Sequence, residues 1–238
     1  MISTKQVKGR VEMSQALQVL SGHEEKVNSR ENALKLGIAK LAQVGPLKFE
    51  LKEISKEAGL TPSMFNYYFK NRDLFIQECA ITAYGDYVEQ MVAITKEHSI
   101  PAKDRLKKWI SFQIKWTTDF VGIAMVLNYP NLTISKDVSE NVEFSQSLRQ
   151  NSTRNLEHLG RLILEIYKID VADDSKIESI MEKNPMIAMQ VGHIGWLAFG
   201  ISNWVAGSHS PTRYLQETDF DPRKVIEPLI NEILKFNH

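Results

Sequence analysis

L-K-E-I-S-K-E-A-G-L-T-P-S-M-F-N-Y-Y-F-K-N, Leu51 to Asn71, reads as two short helices joined by a glycine turn. Leu51, Ile54 and Ala58 fall at i, i+3 and i+7, a buried stripe at helical period, while Lys52, Glu53, Lys56 and Glu57 stay on the wet face. Gly59 stops this helix, because glycine takes the left-handed conformation that ends a helix and releases the chain at a steep angle. Thr61 and Pro62 restart it. A threonine suits the N-cap, and a proline suits the first helical position, where its missing N–H removes nothing. Phe65 and Phe69, four apart, face inward from the second helix. That leaves Pro62, Ser63, Asn66, Tyr67 and Lys70 on its outer side and end, residue types able to touch phosphates and base edges. The spacing predicts a helix-turn-helix.

At these residues the chain resembles the TetR family of bacterial transcription regulators. From Ser29 to Phe75 it follows a pattern close to I-A-x-x-A-G-V-S-x-G-T-L-Y-x-Y-F-x-x-K-x-x-L, with Ile54, Ala58, Gly59, Leu60, Thr61, Phe65, Tyr68, Phe69, Arg72 and Phe75 matching in type. Four positions depart: Ser55 stands for alanine, Ser63 for glycine, Met64 for threonine and Asn66 for tyrosine. The last two normally hold phosphates in that family, so the resemblance implies a rebuilt or weaker backbone clamp here. It also implies an all-α fold, with a three-helix head that binds double-stranded DNA and a larger helical body for effector binding and dimerisation. Carried onto this chain, Ser63, Asn66 and Tyr67 are the candidates for base contact, and Lys52 aligns with a position that often reads a base. Lys70, Thr61 and Tyr68 are the phosphate candidates, with head core as the other reading of Tyr68.

Composition sets outer bounds. The 238 residues are 43% hydrophobic and 24% charged, enough to bury one substantial core or two smaller ones. Net charge is +0, yet residues 1–75 hold 12 Lys/Arg against 8 Asp/Glu and the remainder 17 against 21. A modestly basic head on an acidic body permits local phosphate neutralisation while limiting indiscriminate binding. The one cysteine, Cys79, makes no intrachain disulfide, and no Cys/His spacing of a metal site accompanies it. Neither a phosphate-binding glycine loop nor a G-x-S-x-G elbow is present, so no enzyme, cofactor or metal is expected. The amino terminus lacks the apolar core of a secretory signal, which leads to the expectation of a cytoplasmic protein.

The expected organisation is an extension at 1–28, a DNA-binding domain at 29–75 and an effector and dimerisation domain at 76–238. The extension carries Lys5, Lys8 and Arg10, read either as a disordered tail or as a basic arm for a minor groove. Ser29 is expected to cap a first helix that ends at Gly45-Pro46, and Asn71 to open a long fourth helix. Beyond Pro101 strand alternation is absent. Helices are expected from about Ala102 to Leu127, Val138 to Tyr167, Lys176 to Ala206 with a kink at Pro185, and Arg223 to Phe236.

Met186 to Ala206 holds no charged residue, but Gln190, His193 and Asn203 interrupt it and no basic cluster flanks it, so a membrane span is not expected. Its small residues, Gly192, Gly195 and Ser202, with Phe199, would let a partner helix approach. Joined by Ile226, Leu229, Ile230 and Ile233 of the last helix, they form the expected homodimer interface. Trp109, Phe112, Trp116 and Phe120 share one long helix, with Met125 beyond, and suit either plain core or the wall of a pocket for a small apolar or aromatic effector. Gln113, Asn128, His158, His193 and Trp196 are the other candidates for that pocket. The function expected is a ligand-responsive regulator, a repressor released from a palindromic operator by its effector. The alternative is a DNA-binding regulator governed by a partner protein or by abundance.

Overall fold

Every regular element among the described residues is a helix. The computed structural model describes residues 29–135, 141–169 and 177–207, with Pro228, Asn231 and Glu232. The head comprises α1 (Ser29–Val44), a 3-10 turn (Pro46–Lys48), α2 (Leu51–Glu57) and α3 (Pro62–Phe69). Ser29, expected as the cap of α1, lies within that helix. Gly59, at φ 68°, makes the turn between α2 and α3, and Leu60 N–H returns to Ser55 O at 2.8 Å. The Thr61 hydroxyl accepts from Met64 N–H at 3.2 Å, satisfying one of the orphan donors that open α3.

Four phenylalanines hold the head together. Phe75 is fully buried, with its ring centroid 4.5 Å from Phe69, 4.9 Å from Phe65 and 5.9 Å from Phe49. Phe75 belongs to α4 (Arg72–Thr95), capped by Asn71, whose Oδ1 accepts from Leu74 N–H at 2.9 Å. Gly37 of α1 lies so close to this cluster that an added Cβ would come within 2.5 Å of Phe75 Cζ.

The body continues α4 with α5 (Ala102–Asp119), α6 (Val121–Asn128), the short α7 (Pro130–Thr133), α8 (Val142–Ile166), α9 (Ile177–Lys183) and α10 (Pro185–Gly207). The single helix expected over Ala102–Leu127 is two, with the break at Phe120, φ −115° and ψ 38°. Thr117 and Thr118 hydroxyls donate to Gln113 O (2.9 Å) and Ile114 O (2.8 Å) just before it, a back-bonding that bends helices. The helix expected from Val138 begins at Val142, where Asn141 Oδ1 accepts from Glu143 N–H at 2.8 Å. Pro185 starts a new helix rather than kinking one. Residues 208–227 and most of the helix expected over 223–236 lie outside the described residues, as do residues 1–28.

α4 is the spine of the molecule, because it packs against α1 and α6 near the head and against α5 and α8 further along. α6 in turn rests on α1 and α10 on α5, α6 and α8, so head and body share a continuous core. At the α1–α6 crossing Gly122 is buried against the end of α1. No helix among the described residues is long and apolar enough to cross a membrane.

Candidate nucleic-acid interface and receptor core

α3 is pinned by one face and open on the other. Phe65 and Phe69 are buried, which fixes the rotation of the helix and turns Pro62, Ser63, Asn66 and Tyr67 outward, all exposed, Tyr67 by 83%. Thr61 and Lys70 bracket the helix at its two ends and are exposed too; Lys70 takes φ 63°, its N–H returning to Asn66 O at 2.9 Å. Lys52 is exposed on α2. Tyr68 is half-buried, edge-on to Tyr67 at 5.5 Å and to Phe69 at 6.1 Å, a position between its two sequence readings. Met64, at one of the departing positions, lies exposed on α3. Its backbone N–H is already held by the Thr61 cap.

Arg72 has a structural role that the motif match alone leaves undefined. Its Nε donates to Phe49 O at 3.1 Å, Nη2 to Pro46 O, and Nη1 to Asp73 Oδ1 at 2.7 Å, so it clamps the segment before α2 to the start of α4. Asp73 Oδ2 also accepts from Ser135 N–H at 2.8 Å, tying the head to the end of α7. Burial alone would raise the Asp73 carboxyl, but the bonds from Ser135 and Arg72 outweigh it and hold it below the ordinary carboxylate value. A depressed carboxylate stabilises the fold above the unfolded value and loses that contribution as pH falls through the folded one, so this clasp acts at neutral pH and fails in acid. Charge signals for this clasp exist in the sequence only as an adjacent Arg-Asp pair, which has no meaning until Pro46, Phe49 and Ser135 are brought beside it.

In the body the aromatic stripe is packed ring on ring. Tyr84 stacks on Tyr87 at 5.6 Å, Tyr87 on Phe112 at 5.8 Å and Trp116 on Phe120 at 5.3 Å, while Tyr87 meets Trp116 at 4.7 Å with the rings tilted by 44°. Burial pushes the Tyr87 hydroxyl well above its ordinary value, Tyr84 adds to this, and the Asn155 side chain opposes it by hydrogen bonding. Tyr84 Oη pairs with Ser152 Oγ at 3.0 Å. Trp109 is 1% exposed; Phe112, Gln113, Phe120, Met125 and Asn128 are half-buried around the same elements. Trp109 Nε1 and Asn155 Oδ1 are buried with no hydrogen-bond partner among the described residues.

His193 and Trp196 do not belong to this group. Both are exposed on α10, Trp196 by 74%, because Ile187, Val191, Ile194 and Ala198 take the inward face of that helix. Their stripe runs Met186, Met189, His193, Trp196 and Gly200, at helical spacing and exposed throughout. Gly192 and Gly195 sit beside it, half-buried, and a Cβ on Gly195 would meet Leu156 Cδ2 of the same chain at 3.3 Å. Phe199 and Ser202 lie on α10 with side chains outside the described set, and Ile226, Leu229, Ile230 and Ile233 are outside the described residues. His158 is half-buried on α8, in a cleft away from the aromatic stripe.

No protein-family model matches the sequence, and no curated protein matches it. Solved structures do match in fold. The transcriptional regulator FadR from Bacillus subtilis, in complex with stearoyl-CoA, superposes with a TM-score of 0.51 over 86% of this chain and 95% of that one, at 18% identity. The fatty acid degradation regulator FadR from Bacillus halodurans gives 0.51 over 86% and 97%, at 16% identity. The chain therefore has an all-helical fold shared with bacterial transcription regulators.

Proposed function

We propose that this protein is a TetR-like, ligand-responsive transcription regulator that binds double-stranded DNA as a homodimer and acts as a repressor. The carrying observation is α3: two buried phenylalanines lock its rotation so that Ser63, Asn66 and Tyr67 face outward together, with Lys52 on the neighbouring helix. A helix presented this way suits a major groove, with side chains for base edges and Thr61 and Lys70 near its ends for phosphates. On this reading residues 29–75 read DNA, residues 76–238 receive the effector and pair the subunits, and α4 bridges the two.

Lys52→Ala and Asn66→Ala are each expected to weaken specific DNA binding by about 1 to 3 kcal/mol. Both residues are exposed, so the unfolding free energy should stay within about 0.5 kcal/mol of wild type. Gel shifts on a selected operator check the first statement and urea titration the second; unchanged operator affinity in both variants removes α2 and α3 from the interface.

Dimerisation is assigned to the exposed stripe of α10, with Met186, Met189 and Trp196 continued by Leu156 of α8. Four large apolar side chains grouped on adjoining helices are an association surface rather than scattered exposure. Trp196→Glu should yield a monomer in sedimentation with its helical content intact, whereas a dimer of wild-type strength would place the contact elsewhere.

The effector reading rests on the aromatic stripe with Trp109 Nε1 and Asn155 Oδ1, an interior donor and acceptor set among apolar side chains. The Bacillus subtilis FadR structure holds stearoyl-CoA, which makes a long-chain acyl ligand the first class to test here. A second reading, control by a partner protein with no small effector, is favoured by the ring-on-ring packing of the stripe. Tryptophan fluorescence and melting temperature with an acyl-ligand panel separate them, since only a bound effector moves either.

A further inference from the structure

At the end of the body remote from α3, a cleft of 810 Å³ opens between the last turn of α4 and the last turns of α8. Its walls carry Lys96, His98, His158, Arg161 and Lys168, with Glu165 as the carboxylate among them. That carboxylate is engaged from behind by Arg105, a fully buried side chain that also donates to Thr95 O and, at 3.0 Å, to Ile100 O. Arg105 therefore fixes the end of α4 against α8 through Glu165, which stays 46% exposed at the wall of the cleft, where its carboxylate and Lys96, Arg161 and Lys168 together set the field. The same field is registered by His158, whose imidazole is held below its ordinary value first by burial and then by Lys96, Arg154 and Arg161, with Glu89 opposing. A second cleft shares Glu165 and Lys168 and adds Lys103, Lys107 and Asp104, the last two paired at 3.9 Å.

We propose that this cleft binds a small ligand bearing two or more phosphate groups. Clustered cations at the walls of a concave, partly apolar site focus potential, and phosphate oxygens are the anions whose charge density and hydrogen-bond capacity match lysine and arginine together. Operator DNA is not the occupant. From Arg72 to Thr95, α4 spans 24 residues, about 35 Å at 1.5 Å per residue, which separates the cleft from a duplex lying on α3. This assignment does not depend on DNA binding by the head, and its test is read without DNA.

The experiment is thermal denaturation and calorimetric titration of the full chain with inorganic pyrophosphate, against sodium chloride at equal ionic strength. Wild type should show saturable binding and a melting temperature that climbs with the logarithm of pyrophosphate concentration. Lys96→Gln with Lys168→Asn should weaken that binding about tenfold or more. Both side chains are exposed, and asparagine accepts the φ of 56° at position 168, so the fold is retained. Lys115→Gln, on an exposed lysine of α5 outside the cleft, should bind as wild type does. Absence of binding beyond the chloride control, or equal binding by the double variant, overturns the assignment. Gel shifts on the same preparations report the DNA reading separately, so either can fail alone.

Discussion

Gly122→Ala is expected to destabilise the protein by about 3 kcal/mol and to weaken DNA binding with it, although the residue lies 51 positions beyond Asn71, the end of the head motif. The added Cβ would sit 1.9 Å from Leu41 O, 2.8 Å from Gly45 Cα and 3.0 Å from Leu41 C. All three are backbone atoms at the end of α1, so no rotamer change relieves the overlap. The helices themselves must separate. Since α6 touches both α1 and α4 there, the head loses its seat on the body. Equilibrium unfolding checks the stability term. Gly192→Ala is the internal control, because nothing lies within 4 Å of its added Cβ, and relief of glycine in a helix should stabilise by about 0.5 to 1 kcal/mol. Equal behaviour of the two variants would contradict the close approach of α6 to α1.

Phe75→Ala should be more damaging still, at about 3 to 5 kcal/mol. Its ring is fully buried and meets Phe49, Phe65 and Phe69, so it joins α4 to the segment before α2 and to the inner face of α3. Truncation leaves a cavity at the one point that sets the rotation of α3. DNA affinity is therefore expected to fall even though Phe75 is far from the exposed face. Denaturant titration with gel shifts measures both, and a loss of DNA binding without a loss of stability would assign Phe75 a role other than support.

Local punctuation made the head legible. Gly59 at φ 68°, Thr61 as a side-chain cap and Asn71 as the next one are chemical stops and starts that need no tertiary context. The inward pair Phe65 and Phe69 then orients everything else on α3. The body was harder, because its decisive features are relational. The Phe120 break had a signal in Thr117 and Thr118, but continuous apolar periodicity across it masked the bend. His193 and Trp196 sit in a helix apolar nearly all round, and periodicity in such a helix does not say which side meets solvent. The basic cleft was invisible for a different reason: Lys96 and His98 are about 60 residues from His158, Arg161 and Lys168 in sequence and meet only because α4 and α8 end together.

Operator selection tests the central claim most directly. Purified wild-type protein and its Lys52→Ala/Asn66→Ala double variant would each be incubated with sheared genomic DNA, and the retained fragments sequenced. The account predicts a shared, two-fold symmetric sequence enriched by wild type and depleted with the double variant. Enrichment no greater than that of non-specific DNA, or an identical set retained by both proteins, would contradict the assignment of α3 as the helix that reads DNA.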